Sequence, residues 1–197
     1  MAKKATTKFI TNGQIGQINN RLATKLRASG LLSESVQKVL KMPGNAALDE
    51  MIVVFRKHVE AVSSIIIRHA RVDRALTPQE AIDATGRMQY IDPDVLATMP
   101  RGEGDEVDVH FVPTGRLVPV GEYTAFLAQY GLVPDPRAQA AVNAEYPAFA
   151  DEHPNCSQWG DSCYLVFRRW LDGRRVDCDR NDDDWDDNCW LAGVPAS

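Results

Sequence analysis

No lysine occurs after Lys57, and this uneven distribution of charge divides the chain. Residues 1–76 carry a net charge of +8, whereas residues 77–197 carry a net charge of −13. Such asymmetry indicates two physical units with different partners, and a basic unit attracts phosphate backbones. The alternative is that the acidic part folds against the basic part. We predict a basic helical unit over residues 1–76 and an acidic α+β domain over residues 77–197.

Composition restricts the class of protein. The chain has 197 residues, of which 44% are hydrophobic, and no apolar run approaches the ~18 residues that a membrane-spanning helix needs. The basic N-terminus is followed only by Phe9 and Ile10, so the apolar core of a signal peptide is absent. We therefore expect a cytoplasmic protein that does not bind membranes.

The basic unit has the periodicity of helices. Apolar residues step by three and four at Ile15, Ile18, Leu22 and Leu26, which predicts a helix over residues 13–28. A second, shorter helix is predicted from Ser33, as its cap, to the break at Pro43 and Gly44.

The third segment of the unit is the most regular in the chain. Spacings of four and three residues join Leu48, Ile52, Phe55, Val59, Val62, Ile66 and His69. This is a seam of heptad type, and Val53 and Val54 widen it. A helix that is apolar on more than one face is typical of a buried core helix. Self-association through a helix over residues 48–66 is the other interpretation.

The first two helices resemble a helix-turn-helix. In that motif the second helix enters the major groove of DNA. The polar residues that it would present are Ser33, Ser35, Gln37, Lys38 and Lys41. The spacing from Ala23 to Val36 makes the turn longer than the tight motif usually allows, so a plain helical hairpin is the alternative.

The acidic part alternates helix and strand signals. Thr77-Pro78-Gln79-Glu80 and Asp135-Pro136 are helix starts, and residues 106–112 alternate polar and apolar side chains as in a half-buried strand. Residues 116–120 are predicted to pair with that strand. Asp172-Gly173 joins two strand-like runs as a hairpin, and residues 189–191 add a third strand. The predicted fold class is α+β: a helical N-terminal unit, then a mixed region that ends in a small antiparallel sheet.

An acidic loop in the tail is the most ligand-like feature. Asp177, Asp179 and Asn181 occupy the first three oxygen-ligand positions of a calcium loop, and Asp183 adds another oxygen. The glycine and the final glutamate of that loop are missing. We predict either a looser calcium or magnesium site or a solvated acidic turn. The turn would face the arginines of the hairpin, which are Arg168, Arg169, Arg174 and Arg175.

Other chemical motifs are weaker. The four cysteines, Cys156, Cys163, Cys178 and Cys189, lack zinc-knuckle spacing, although His153 lies close to the first. We expect reduced structural thiols, with zinc binding or disulfides as alternatives. Glu106, Asp108 and His110 share one strand face as alternation requires. No nucleophile elbow, paired-histidine motif or Walker lysine is present.

Several stretches of the acidic part match a known set of proteins. They are residues 90–92, 97–104, 147–151 and 182–187, the last preceding Ala192-Gly193-Val194. Over residues 77–197 the chain resembles a family of uncharacterised bacterial proteins common in candidate phyla. This resemblance implies no activity and assigns no functional residue.

Together these patterns predict a non-enzymatic interaction protein. Its basic helices form the contact surface, and nucleic acid is the first partner to test. The competing interpretation is a metal-dependent enzyme or a divalent-cation-binding protein that uses the acidic loop.

Overall fold

The chain folds into two compact units, Met1–Val62 and Ser63–Ser197. The computed structural model describes residues 10–44, 46–60, 65–171 and 173–196. The boundary lies earlier than the predicted one after residue 76, because residues 66–71 form a strand in the sheet of the second unit. Among the described residues, no helix has the length and hydropathy needed to cross a membrane.

The described part of the first unit is helical, with α1 (Asn12–Ala28), α2 (Ser33–Leu40) and α3 (Ala46–Glu60). The helices predicted over residues 13–28 and from Ser33 are confirmed. Thr11 and Gln14 begin α1 with a reciprocal capping box. The cap of α2 is Leu32, without a side-chain hydrogen bond, so the prediction that Ser33 caps this helix is wrong.

The third helix is shorter than its predicted seam. It ends at Glu60, and Ile66 and His69 lie in a strand instead, so the helical prediction is wrong for these two residues. Residues 61–64 lie outside the described residues. Strand pairing buries Ile66 and Ala70 against the second unit's core, and β-branched residues favour strands.

The second unit is built on strands. In chain order they are β1 (Ile66–Arg71), β2 (Met88–Ile91), β3 (Glu106–Pro113), β4 (Leu132–Val133), β5 (Asn155–Trp159), β6 (Cys163–Trp170), β7 (Gly173–Arg180) and β8 (Trp190–Pro195). The helices are α4 (Pro78–Asp83), α5 (Pro93–Ala97), α6 (Tyr123–Ala128), α7 (Pro136–Glu145) and α8 (Phe149–Glu152). The helix starts predicted at Thr77 and Asp135 are confirmed as α4 and α7.

The described strands form one eight-stranded mixed sheet. Its order is β1-β3-β8-β5-β6-β7-β2, and β4 pairs with β8. Neighbours are antiparallel except for β5 with β8 and β2 with β7. The α+β class is confirmed, but the prediction of a small antiparallel sheet is wrong, because β8 joins the tail strands to β3 and β1.

Two details of the predicted tail also differ. The hairpin of β6 and β7 is confirmed, but β8 pairs with β3, β4 and β5 and not with β7. Residues 116–120 do not pair with β3; Val118 forms a single bridge with Trp185. Pairing with residues so distant along the chain leaves no local signal in the sequence.

Helices cover one face of the β6–β7 hairpin. Phe167 and Val176 point into a core that also contains Ile82, Leu96 and Ala150. The opposite face is covered only in part, where Val166 packs beside Trp185. Towards the hairpin turn, this second face carries polar and aromatic side chains that reach the solvent, such as Trp170.

A buried ion pair fastens the second unit. Arg74 donates through Nη1 to Asp135 Oδ1 at 2.9 Å and through Nη2 to Oδ2 at 2.7 Å. Its other N–H groups bind the carbonyl oxygens of Arg101, Glu103 and Gly104, so all five donors have an acceptor. Asp135 Oδ1 also accepts from the backbone N–H of Ala138 and begins α7.

We predict that Asp135→Asn lowers the free energy of unfolding by about 3–5 kcal/mol, because it leaves the buried Arg74 cation unpaired. Urea denaturation measures the loss. Glu106→Gln is the control, since it breaks the exposed Arg71–Glu106 pair and should leave the midpoint nearly unchanged. Equal midpoints for both variants would contradict a stabilising role of the Arg74–Asp135 pair.

Candidate functional site

The predicted nucleic-acid residues lie on an accessible helix. Ser33, Ser35, Gln37 and Lys38 are exposed on α2, and Lys41 follows at its C-terminal end. Lys38 Nζ lies 3.0 Å from Glu34 Oε1 in an exposed ion pair.

The turn between α1 and α2 occupies residues 29–32. Gly30 adopts a φ of 72° there, a conformation that favours glycine. Ala23 and Val36, where a helix-turn-helix would pack its helices together, are only half-buried. DNA binding through α2 stays a prediction.

The first unit exposes its apolar side chains. None of its described residues with an assigned burial is buried. Phe55 is 44% exposed, so the expected burial of the α3 seam is wrong for the isolated chain. The large exposed apolar residues of this unit are Ile10, Ile15, Leu26, Leu31, Leu32, Val39, Leu40, Met42, Leu48, Met51, Ile52, Val53, Val54, Phe55 and Val59.

The structure separates the four predicted metal ligands by their interactions. Asp177 is only 3% exposed in β7, where its carboxylate binds the guanidinium groups of Arg168 and Arg175. Asp179 Oδ1 accepts from the backbone N–H of Arg180. The Asn181 side chain bonds the backbone N–H and carbonyl of Asp183.

A metal cluster is not apparent in the described ranges. No group of three or more His, Cys, Asp or Glu side chains within them is arranged to hold an ion. Calcium or magnesium binding by the acidic loop stays a prediction. The alternative contact with hairpin arginines is observed for Asp177 alone among the four.

The register of β6 and β7 places arginines opposite each other. Arg168 faces Arg175, and Arg169 faces Arg174. Like charges directly opposite on antiparallel strands are destabilising unless compensated. The two arginines of each pair share one carboxylate. Each pair together with its carboxylate therefore keeps one net positive charge.

Asp177 compensates the first pair. Its Oδ2 accepts from Arg168 Nε at 3.0 Å, and Arg168 Nη2 lies 2.9 Å from the same oxygen. Its Oδ1 accepts from Arg175 Nε. Within the described residues, neither Nη atom of Arg175 has a hydrogen-bond acceptor.

Asp151 at the end of α8 compensates the second pair on the other face of the hairpin. It accepts from Arg174 Nε and Nη2 and lies 3.5 Å from Arg169 Nη1. The hydrogen bonds from Arg174 hold the pKa of Asp151 below its usual value. Arg87 lies over the Phe167 ring nearby, and burial lowers the pKa of its guanidinium.

Aromatic rings flank the first arginine pair. The Arg175 guanidinium carbon lies 3.7 Å from the centroid of Tyr90 on the edge strand β2, and that of Arg168 lies 4.9 Å from the nearest Trp170 centroid. Tyr90 is 48% exposed and Trp170 is 50% exposed. We call Tyr90, Arg168, Trp170, Arg175 and Asp177 the arginine–aromatic face.

This end of the sheet is basic within an acidic sequence. Residues 77–197 contain nine arginines, and five of them lie around Asp151 and Asp177. They are Arg87, Arg168, Arg169, Arg174 and Arg175. The sequence locates the four hairpin arginines, but Tyr90 reaches them only through the parallel pairing of β2 with β7.

Polar side chains of β3 pair with side chains of the neighbouring strand β1. Arg71 Nη2 donates to Glu106 Oε1 at 2.9 Å, and His69 Nδ1 lies 3.1 Å from Asp108 Oδ1. His110 is buried, and desolvation lowers its pKa. Glu106 and Asp108 therefore have cross-strand partners, which alternation alone did not reveal.

The cysteines are free thiols buried in the second unit. The sheet brings Cys156 Sγ within 2.9 Å of Cys189 Sγ. Burial raises the pKa of Cys178 to about 12, so this thiol stays protonated at neutral pH. His153 packs its ring against Phe149 and Trp190.

Comparison with known proteins adds no assignment: no family model, curated protein or solved structure matches this chain. The resemblance of residues 77–197 to an uncharacterised bacterial family stays a prediction.

Proposed function

We propose that this chain is a non-enzymatic interaction protein whose basic N-terminal helices bind nucleic acid. The observation that carries the proposal is the exposure of the first unit: its described residues with an assigned burial include no buried side chain. Helices in proteins derive most of their stability from packing of an apolar face. A unit whose described residues form no buried core is therefore suited to contact a partner.

Charge identifies the first partner. The first unit, Met1–Val62, carries a net charge of +6, and phosphate contacts supply most of the affinity of sequence-independent nucleic-acid binding. Lys38 lies exposed in the C-terminal half of α2 and Lys41 lies exposed directly after it, where both can reach phosphates. The Lys38–Glu34 pair is exposed and weak, so it does not prevent such a contact.

We predict that the full chain binds a DNA duplex at about 50 mM salt and releases it steeply as salt rises. Lys38→Gln with Lys41→Gln should weaken binding several-fold, because two phosphate contacts are lost. Glu34→Gln should strengthen it, because Lys38 loses its intramolecular partner. Fluorescence anisotropy over a salt series measures each change.

Arg71→Gln with Arg116→Gln is the matched control, since it removes two exposed positive charges from the second unit. This variant should bind the duplex as the parent does. If both double variants weaken binding equally, the effect follows net charge and α2 is not the contact. Absence of any binding at about 50 mM salt overturns the proposal.

Self-association through α3 is a second candidate function. Leu48, Ile52, Phe55 and Val59 keep the four-three spacing within the helix, and all are exposed. Two copies of such a seam can bury each other, and two-fold association is the commonest oligomer. Ile66 does not take part, since it is buried in β1.

We predict that the full chain sediments as a dimer and that Phe55→Asp converts it to a monomer, because a charge would enter the apolar seam. Sedimentation velocity measures the change. Val53→Asp is the matched control: Val53 widens the apolar stripe and is 65% exposed, but it lies about 160° around the helix from Phe55 and outside the four-three seam, so this variant should stay dimeric. A monomeric parent, or equal dissociation of both variants, contradicts association through the seam.

A further inference from the structure

The arginine–aromatic face is distinct from the basic helices, and its chemistry indicates its own ligand. We propose that this face binds single-stranded nucleic acid, with unpaired bases stacked on Tyr90 and Trp170 and phosphates bound by the arginines. The proposal does not depend on binding by α2, because its residues lie on β2, β6 and β7.

An arginine lies beside each aromatic ring of the face. The guanidinium of Arg175 lies over the Tyr90 ring and that of Arg168 lies near Trp170, so each ring has a cation beside it. About half of the surface of each aromatic residue remains exposed. Exposed aromatic rings on a sheet, next to arginine planes, are the surface on which single-stranded bases stack.

The charge of the face favours an anion. Two guanidinium groups share the carboxylate of Asp177, which leaves one positive charge uncompensated within this group of three. Asp177 fixes both Nε atoms, and the Nη atoms of Arg175 have no acceptor among the described residues. A phosphate oxygen supplies the missing acceptor and the missing negative charge.

The rings distinguish a single strand from other polyanions. In a duplex the base faces are stacked on each other and are closed to Tyr90 and Trp170. An acidic peptide would satisfy the arginines, but its aliphatic carboxylate side chains offer no aromatic base to stack on the two rings. An unpaired strand supplies both kinds of contact, so we favour it over a duplex and over an acidic protein.

The test uses the full chain and a fluorescent, mixed-sequence DNA single strand of about twelve nucleotides, within the site size of such surfaces. We expect Tyr90→Ala and Trp170→Ala each to weaken binding by roughly 5- to 100-fold, as loss of one stacked base does. Tyr90→Phe and Trp170→Phe should bind within about two-fold of the parent, because they retain an aromatic ring.

Tyr130→Ala is the matched control. Tyr130 is also an exposed aromatic residue, but it lies beyond α6 against Phe126 and is not part of the face. It should bind as the parent does. Substitution of Arg175 is avoided, because it would leave the buried Asp177 with one partner fewer and could unfold the sheet.

Each titration is repeated in the Lys38→Gln, Lys41→Gln background. A failure of the α2 proposal can then be distinguished from a failure of the sheet-site proposal. Retained single-strand binding that Tyr90→Ala and Trp170→Ala reduce supports the sheet site even if α2 binds nothing. Unchanged binding by both alanine variants overturns it. It is also overturned if, in that background, the annealed duplex or poly-glutamate competes as well as the unlabelled single strand, since stacking would then contribute nothing.

Discussion

The ion pair of Arg74 and Asp135 holds together segments that are distant along the chain. Arg74 follows β1, its carbonyl acceptors lie in the loop before β3, and Asp135 begins α7. Gly102 lies so close that a Cβ would overlap both charged groups, and its φ of 69° also favours glycine. One buried contact thereby sets the path of a loop and the start of the helix that covers the sheet.

Besides the Arg74–Asp135 ion pair, hydrogen bonds between buried side-chain amides hold α7 on the sheet. Gln139 Nε2 and Asn143 Nδ2 both donate to Asn155 Oδ1 at the start of β5, at 2.8 and 2.9 Å. Buried polar groups of this kind are costly when unpaired, so they favour one position of the helix. These bonds hold α7 against β5, whereas the register that places the hairpin arginines opposite each other belongs to the pairing of β6 with β7.

Local signals in the sequence predict the elements with short-range causes. The capping box at Thr77 and Glu80 and the Asp-Gly turn each depend on neighbours along the chain. The strand β1 was not predicted, because its isoleucines continue the apolar spacing of α3 and periodicity over a short apolar run does not separate helix from strand. Pairing with β3 makes this segment a strand, and β3 lies far along the chain.

The same limit applies to the candidate sites. Asp177 is predicted as a metal ligand from an acidic run, yet it lies inside the sheet between two guanidinium groups. Alternation along β6 and β7 predicts the face of the sheet on which each arginine lies. Only the register of the two strands shows that Arg168 lies opposite Arg175. Tyr90 lies beside these arginines because β2 pairs in parallel with β7. A parallel pairing has no short connecting turn that the sequence could reveal.

An acidic domain thus carries a basic, aromatic surface at one end of its sheet, where the net charge of the sequence does not predict one. The most direct test is the position at which a bound single strand attaches to the chain. Ultraviolet cross-linking followed by peptide mass mapping should place the attachment on the peptides that contain Tyr90 and Trp170. Attachment confined to residues 10–60 would contradict a nucleic-acid site on the sheet.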